Sequence, residues 1–500
     1  GSGGSAPPTN GVLTAALLGD IGQPPDPSTF YAGNGIAIIK NVYEGLVQYA
    51  PNTAHVQIVP QLATAWSINK TFTMYTFHLR HGVAFHDGTP FTSAAIGPSF
   101  ARTASLKGGP AYLAAIVKSV ATPDKYTAVV TLTQPNSAFL NYLASPFSPK
   151  MLSPTGLKLH AGKDQAQSYL ASHDLGTGPY ELTSAQVGRQ YTLTEYPNYW
   201  GQKGPFKTIN LPVYTQVSAM ELAFQKGAVD LIVGDNEPPS SAISQYTNNS
   251  SVSSYFLPMY TATLITLNPN RQFFSSQQAR TAFLQAIDTK QLVNQVLNPK
   301  LATPATTLYG AGTIPGGADA QKITYNPGAM AAYAKTLKSG TPLTVGYLSS
   351  VPNGQLMANI IAAKMQALGI AAKVQGVTTS TLFSWPQHVK TAADLYVDAS
   401  DGPDGADPYM WGHVFWDKTG GIDLLQCDVP QVDAELKQAV QHNDTALYVK
   451  AAQQYSANGC FLHVATVRDW VLAQKWLTGI PQAHNLGAFE VYFNQLGIKK

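Results

Sequence analysis

Three histidines and one aspartate within ten positions resemble a metal centre more than any other group in this sequence. His78, His81, His86 and Asp87 lie in the stretch FHLRHGVAFHDGTPF, residues 77–91. Imidazole and carboxylate groups bind zinc and similar ions, which activate water for hydrolysis. A metal-dependent enzyme is therefore one hypothesis for this chain.

The spacing of these residues favours a structural hairpin instead. The segment MYTFHLR (74–80) alternates, so that His78 and Arg80 point away from the apolar side of a strand. A bend is predicted at His81-Gly82, a second short strand carries an outward His86, and Asp87-Gly88 forms the turn. No spacing brings the imidazoles together, as HExxH does on a helix, and we predict no metal and no cofactor. The buried side of the hairpin is predicted to consist of Phe77, Leu79, Val83 and Phe85.

An acidic and aromatic stretch, residues 395–416, is the second candidate site. A predicted strand over 395–399 runs into a Gly/Pro/Asp-rich loop. Ligands of α/β sheets bind beyond the carboxyl ends of strands, where carboxylates hold cations and aromatic rings form walls. The alternative is a solvated turn with core aromatic residues behind it. The stretch contains Asp398, Asp401, Asp404, Asp407, Tyr409, Trp411, His413 and Trp416.

The segments around this stretch predict an α/β protein. Residues 342–348 and 370–377 have strand patterns, and residues 354–369 between them have a helical pattern that ends at Gly369. Strand, helix and strand in this order indicate a βαβ unit and a parallel or mixed sheet. Further strands are predicted at 127–132 and 190–195, and helices at 279–297, 429–440 and 445–459.

Composition excludes some functions. The 500 residues predict two or three domains, and a net charge of +3 provides no basic surface for nucleic acid. No stretch of about 18 apolar residues predicts a membrane span. P-loop, GxGxxG and GxSxG motifs are absent from the sequence. Cys427 and Cys460 predict a disulfide in an exported protein, with two buried free thiols as the alternative.

Several ordered motifs resemble the family 5 extracellular solute-binding proteins of bacterial ABC importers, which include dipeptide-, oligopeptide- and nickel-binding proteins. The strongest block runs from NVYEGLVQYAP through FHLRHGVAFHDGTPF, and GTGPYELT, MELAFQKGAVDLI and LQCDVPQVDAELKQAV follow it. The resemblance covers about residues 20–480. Ala94 and Ala95 depart from it, because the family has an acidic pair there.

The resemblance implies a two-lobed α/β fold of the periplasmic-binding-protein type, with mixed sheets, an extra inserted domain and a ligand cleft between the lobes. The first lobe would combine a core domain, residues 11–44, 176–264 and 473–500, with an inserted domain, residues 45–175. The second lobe would span 265–472. Residues 1–10 are predicted to form a flexible tether.

The resemblance also implies site residues. Asp404 matches the aspartate that holds the α-ammonium group in dipeptide-binding relatives, and Asp401 is the alternative if the loop contains a gap. No arginine lies between Arg280 and Arg468 to bind a ligand carboxylate, which favours longer peptides or other ligands. The other expected ligand-binding residues are Asp407, Tyr409, Trp411, Trp385, Tyr31 and His413.

The implied function is binding without catalysis: capture of oligopeptides by lobe closure and delivery to a membrane permease with its ATPase. The alternative is that the same scaffold binds a metal chelate, an oligosaccharide or a small cationic metabolite. A chelate is supported by His413 together with Trp411 and Trp416. We expect a monomer outside the cytoplasm, either lipid-anchored at the surface of a Gram-positive cell or periplasmic.

Overall fold

The computed structural model describes residues 5–487 and 490–500, which form two compact units. Unit 1 comprises the chain up to Pro238, Ser244–Met259 and Asp469–Lys500; unit 2 comprises Pro239–Ile243 and Tyr260–Arg468. The predicted second lobe, residues 265–472, covers most of unit 2. The predicted inserted domain and most of the predicted core domain of the first lobe fall within unit 1, although residues 239–243 and 260–264 of the core domain belong to unit 2. The separation of these two domains stays a prediction.

Unit 1 contains two larger sheets. The first has the order β1-β11-β10-β9, with β2 beside β11, and the second has the order β5-β6-β8-β7. Smaller pairs are β3-β4 and β19-β20. The strands are β1 (Val12–Thr14), β2 (Leu17–Leu18), β3 (Val47–Tyr49), β4 (Ile58–Pro60), β5 (Ala63–Ile68), β6 (Met74–Leu79), β7 (Val117–Asp124), β8 (Thr127–Leu132), β9 (Tyr180–Gln186), β10 (Gln190–Glu195), β11 (Thr208–Tyr214), β12 (Leu231–Ile232), β19 (Leu477–Thr478) and β20 (Gly497–Ile498).

Short helices cover these sheets. They are α1 (Ile36–Val42), α2 (Ile96–Ser105), α3 (Ala111–Ala115), α4 (Phe139–Ala144), α5 (Pro154–Leu159), α6 (Gln167–Leu170), α7 (Val217–Gln225), α8 (Ile243–Thr247) and α17 (Ile480–Ala483). The predicted strands at 74–80, 127–132 and 190–195 are confirmed as β6, β8 and β10. Their alternate side chains are buried because each sheet has one face on the core.

Unit 2 is built on a mixed sheet. Its strands are β13 (Val252–Leu267), β14 (Ala302–Pro304), β15 (Pro342–Leu348), β16 (Ala371–Val377), β17 (Leu395–Asp401) and β18 (Phe461–Gln474), in the order β18-β13-β17-β15-β16 with β14 beside β18. The ends of β13 and β18 continue into unit 1, where β12 pairs with β18. The βαβ prediction is confirmed, since β15 and β16 are parallel and α12 connects them.

The helices of this unit are α9 (Gln277–Gln285), α10 (Thr289–Leu292), α11 (Pro327–Ala334), α12 (Pro352–Gln366), α13 (Thr379–Ser384), α14 (Pro408–Trp416), α15 (Pro430–His442) and α16 (Thr445–Ala457). The prediction of one continuous helix over 279–297 is wrong. The Asp288 side chain accepts a hydrogen bond from the Gln291 N–H and begins a new helix, which ends in a π-turn at Val293–Leu297. Aspartate favours such caps over helix interiors.

The predicted disulfide is present. Cys427 precedes α15, Cys460 follows α16, and the bond between them ties these ends together. Both cysteines are buried.

The predicted tether has contacts of its own. Residues 1–4 lie outside the described residues, but the Trp476 indole N–H donates to Ser5 Oγ at 3.0 Å. None of the helices within residues 5–487 and 490–500 has the length and apolar character of a membrane span.

Candidate functional site

The acidic stretch begins on a central strand of unit 2. Strand β17 lies between antiparallel β13 and parallel β15, and its first five residues are buried. Its carboxyl end carries Asp398 and Asp401. This is the edge of an α/β sheet at which ligands usually bind.

A register shift brings the two carboxyl groups together. Residues three positions apart in a regular strand point to opposite faces of the sheet. Here the pairing with β13 shifts between Ala262 and Leu264, which lie opposite Asp401 and Asp398. The irregularity re-aims the side chains, and Asp398 and Asp401 are hydrogen-bonded to each other.

A hydrogen bond between two carboxyl groups requires a shared proton. Burial, reinforced by the Asp401 carboxylate, raises the pKa of Asp398 well above its usual range. Burial also raises the pKa of Asp401, although the Gly402 N–H donates to its Oδ1 at 2.8 Å. The pair therefore carries one proton, and one negative charge at most, near neutral pH.

The carboxyl pair lines a cavity of about 150 Å³ inside unit 2. Tyr396 and Phe383 contribute aromatic surface, Ser400 contributes a polar group, and Phe383 is 49% exposed. A cavity of this size holds a group about as large as a benzene ring. The arrangement suits one apolar or cationic end of a larger ligand.

Trp385 lies in the core behind this cavity. It is buried and packs edge-on against Tyr396, with ring centroids 5.8 Å apart. A Cβ atom on residue 346 would lie 2.9 Å from the Trp385 indole, and the glycine at this position therefore leaves space for the ring. Trp385 fixes the Tyr396 ring, and its role as a ligand contact stays a prediction.

The loop after β17 leads into α14. Asp404 is partly buried in this loop. Asp407 caps the helix, because its Oδ1 accepts from the Tyr409 N–H at 2.7 Å. Burial raises the pKa of the Asp407 carboxyl to about 6. Capping the N-terminus of α14 is therefore the structural role of Asp407.

Tyr409 and His413 share one face of α14. Their rings stack with centroids 5.5 Å apart, and His413 Nδ1 lies 3.4 Å from Asp417 Oδ2. Burial of Asp417 is outweighed by hydrogen bonds from His413 and Thr419, and the pKa of this carboxyl falls to about 2. This face presents an aromatic ring and a histidine that are both half-buried.

The opposite face of α14 belongs to the core. Trp411 is 1% exposed and packs against Phe415 and His463, and Trp416 packs against Tyr455. The buried Trp411 side chain leaves almost no surface for a ligand, and its role in ligand binding stays a prediction.

Tyr31, the residue expected from the first lobe, lies in unit 1. It is 39% exposed, and its ring centroid is 4.6 Å from that of Phe147. Its role in ligand binding also stays a prediction.

The histidine stretch is part of the scaffold of unit 1, but one detail of its prediction is wrong. Phe77, Leu79, Val83 and Phe85 are buried, as expected. His86 does not point outward from a strand. It lies in the turn with a buried side chain, paired with Asp174, and its Nε2 is 2.8 Å from the Gly178 carbonyl oxygen.

This geometry leaves the stretch without a metal-binding arrangement. Both ring nitrogens of His86 have protein partners, His81 stacks on Tyr126, and His78 is exposed on β6. Among residues 5–487 and 490–500 no three His, Cys, Asp or Glu side chains are placed to hold a metal ion.

The His86–Asp174 pair predicts a pH-dependent stability. Burial opposes the charged imidazole, but Asp174 outweighs it and the pKa of His86 is raised. The contribution is complete below the unfolded pKa of about 6.5 and is lost as pH rises through the folded value. We expect His86→Gln to flatten the fall of unfolding free energy that the wild type shows above about pH 6.5. Urea denaturation at several pH values measures this.

The exposed His81 provides the control. His81→Gln should keep the pH-dependent fall of stability, because it leaves the His86–Asp174 pair intact. An equal slope in wild type and His86→Gln would contradict a charged imidazole at this position.

Sequence reasoning named Asp398 in the candidate stretch but not among the ligand-binding residues, and it missed Tyr396, Phe383 and Ser400 as residues that line the cavity. One signal was available, because Asp398 follows Leu395, Tyr396 and Val397 in a strand that is otherwise apolar. An acid inside such a strand must be neutral or paired.

Comparison with known proteins identifies the family. The model of the bacterial extracellular solute-binding proteins, family 5 (middle region), matches residues 57–422. The chain belongs to this family. The family 5 proteins are the solute-binding components of ABC transporters, and the expected two-lobed α/β fold is confirmed by the structures that resemble this one.

Individual relatives of this family 5 protein differ in what they bind. The probable D,D-dipeptide-binding periplasmic protein of Escherichia coli K12 is 28% identical over 405 residues, 79% of this chain and 76% of its own. The nickel-binding periplasmic protein of the same strain is 23% identical over 493 residues, 93% of this chain and 91% of its own.

Solved structures share the fold at low identity. NikA from Brucella suis, in complex with Fe(III)-EDTA, has a TM-score of 0.85 and 21% identity over 98% of this chain and 100% of its own. DppA from Helicobacter pylori, in complex with the peptide STSA, has a TM-score of 0.78 and 22% identity over 98% of both chains.

Proposed function

We propose that this protein captures oligopeptides outside the cytoplasm and delivers them to an ABC permease, whose ATPase drives their import. The observation that carries the proposal is the Asp398–Asp401 pair beside the cavity at the end of β17. A peptide α-ammonium group is the ligand whose charge this pair is suited to receive.

The chemistry of the pair supports an ammonium group. In the free protein one proton bridges the two carboxyl groups. A bound ammonium donates up to three hydrogen bonds and supplies the positive charge, so the bridging proton can leave. Asp401, which lies at the strand end, is therefore the preferred anchor, and Asp404 in the following loop is the alternative.

The rings of Tyr396 and Phe383 would receive the first side chain of the peptide. Both line the cavity, and its volume limits the buried part of the ligand to about one residue. The rest of an extended peptide would remain outside this cavity, which permits ligands of several lengths.

A metal chelate is less well supported. The sequence hypothesis used His413 together with Trp411 and Trp416, but both indoles are buried in the core of unit 2. The burial of these rings leaves the chelate without the aromatic contacts on which the hypothesis was based.

Capture by lobe closure is part of the proposal. A ligand that binds the closed form more tightly than the open form shifts the population toward closure, by as much as its differential affinity. The proposal also includes a monomer that is lipid-anchored or periplasmic. Membrane fractionation of the native protein distinguishes these locations.

Mass spectrometry of the supernatant from purified, denatured protein tests the ligand class. We expect a series of peptides. A sugar, a metabolite or a chelate at one equivalent, with no peptides, would overturn the proposal.

Asp401→Asn is expected to weaken peptide binding at least about tenfold, or about 1.4 kcal/mol, because a neutral amide attracts the ammonium less. Isothermal titration with a free and an N-acetylated peptide measures this. Acetylation removes the charge and should weaken binding to wild type but hardly affect Asp401→Asn. Wild-type binding should also release a proton and tighten as pH rises, since the ammonium displaces the shared proton.

Asp404→Asn is the matched variant for the alternative anchor. If it alone becomes insensitive to acetylation, Asp404 holds the ammonium group. Wild-type affinity in both variants would rule out an ammonium anchor in this loop.

A further inference from the structure

A cavity in unit 1 contains two buried lysines. Lys40, in the last turn of α1, and Lys150, in the segment after α4, line a space of about 40 Å³. They are 7% and 8% exposed. Lysines are seldom buried this deeply unless their charge is paired.

The contacts of Lys150 orient its ammonium group without neutralising it. Nζ donates to the carbonyl oxygens of Pro146 and Ser148 at 3.0 and 3.1 Å, and to Ser148 Oγ at 2.8 Å. All three acceptors are neutral. Burial alone lowers the pKa of this amine to about 7.

Lys40 has more support, but its partners compensate its charge only in part. Nζ donates to Asn485 Oδ1 at 2.5 Å and lies 4.3 Å from the centre of the Tyr492 ring. Burial lowers the pKa of Lys40 to about 7, Glu490 and Asp469 oppose this shift, and Lys150 adds repulsion. Burial raises the pKa of Glu490 itself, so this acid is a weak counter-charge.

Two serine hydroxyl groups are also part of the lining. Ser145 Oγ accepts from the Phe147 N–H at 3.1 Å, and Ser148 Oγ accepts from Lys150. Each hydroxyl therefore keeps its own proton for donation. Both serines line the cavity and are 2% exposed.

We propose that this cavity binds a carboxylate group between Lys40 and Lys150. The two ammonium groups supply charge, and the hydroxyls of Ser145 and Ser148 and the remaining N–H groups of Lys40 supply hydrogen bonds. The volume suits a carboxylate rather than a large anion. The carboxylate belongs either to a free small acid or to the imported solute, and in the second case the inference rests on the proposed function.

The charge distribution predicts how binding depends on pH. An anion favours the charged form of both lysines, so binding should take up protons, and affinity should fall as pH rises from about 6 to 8. Glu490 and Asp469 also interact with Lys40, and a charged carboxylate at either position would oppose the anion; the raised pKa of Glu490 lessens its share of this opposition. For formate, which has no ammonium group, this direction is opposite to that expected for binding at Asp401, and it therefore distinguishes the two sites.

Thermal unfolding of the full chain in formate tests the inference, with methanesulfonate at equal ionic strength as the bulky reference anion. At about pH 6 we expect about 100 mM formate to raise the wild-type Tm by about 2 °C or more above the reference. The shift should disappear in Lys40→Met and Lys150→Met but persist in Lys118→Met, which changes an exposed lysine of β7. No formate-specific shift in wild type would overturn the inference, whether or not the variants fold.

Peptides with a free or amidated carboxyl terminus identify the source of the carboxylate. If wild type binds the amidated peptide more weakly than the free peptide, and Lys150→Met binds both equally, the carboxylate in the cavity belongs to the imported solute. A formate shift without an effect of amidation assigns it to a free acid. If formate raises the Tm of all three lysine variants equally, the proposed site is wrong, whether the carboxylate comes from the solute or from a free acid.

Discussion

Replacing Arg102 by methionine is expected to lower the free energy of unfolding by about 3–5 kcal/mol, the usual cost of breaking a buried ion pair from one side. Arg102 on α2 is 4% exposed, and its partner Asp26 is 1% exposed. Its guanidinium donates to Asp26 Oδ1 and Oδ2 at 2.7 and 2.6 Å, a bidentate pair. Methionine fills a similar volume but leaves the carboxylate buried without its cation.

The pair also joins two segments that the sequence assigns to different domains. Arg102 lies in the predicted inserted domain, and Asp26 lies in the predicted core domain of the first lobe. Arg102 further donates to Ser28 Oγ at 2.6 Å and to the Gln165 carbonyl oxygen at 2.8 Å. One side chain thus connects the chain before α1 to the segment around α6, and its loss should loosen both.

Urea denaturation of three variants measures the effect. Arg189→Met, at an exposed arginine, should change stability by no more than about 0.5 kcal/mol. Asp26→Asn combined with Arg102→Met should recover part of the loss, because no charge is then left unpaired. A loss under about 1 kcal/mol for Arg102→Met alone would show that water reaches the pair.

Arg102 also shows which parts of the fold a sequence can predict. Local patterns identified β6, β8, β15, α12 and β16 because alternation and helical spacing reflect which face is buried. Nothing in the spacing of residues 26 and 102 indicates that they meet. Contacts of this kind depend on the topology of the whole unit.

The histidine stretch shows the same limit at a smaller scale. Phe77 and Phe85 were correctly predicted to be buried from their alternation. His86 was placed outward, because strand periodicity cannot show that Asp174, far along the chain, provides a carboxylate for it. The mistake follows from treating a polar residue as exposed when its partner is distant in sequence.

The candidate site was predictable in position but not in detail. The loop after β17 was chosen as the candidate site because ligands of α/β sheets bind at the carboxyl ends of strands. The irregular pairing with β13, which brings Asp398 to Asp401, has no sequence signal. The burial of Trp411 and the capping role of Asp407 follow from how α14 lies on the core, which its composition does not reveal.

Removal of the disulfide is expected to lower the free energy of unfolding by about 3–4 kcal/mol. Cys427 and Cys460 are 33 residues apart, and opening a loop of this length gives the unfolded chain additional entropy. The bond holds the start of α15 to the end of α16, so its loss should act mainly on unit 2. The double variant Cys427→Ser/Cys460→Ser, compared with wild type by urea denaturation, measures the change.

Two further measurements separate loop entropy from the local effect of the serines. Reduced wild type should lose nearly as much stability as the double variant, since both lack the cross-link. Asn458→Ala is the local control, because its side-chain amide lies 3.0 Å from Cys427 Sγ but closes no loop, and it should cost about 1 kcal/mol. Equal stability of oxidised and reduced wild type would contradict the entropic argument, and two reactive thiols in the unreduced, unfolded chain would contradict the bond itself.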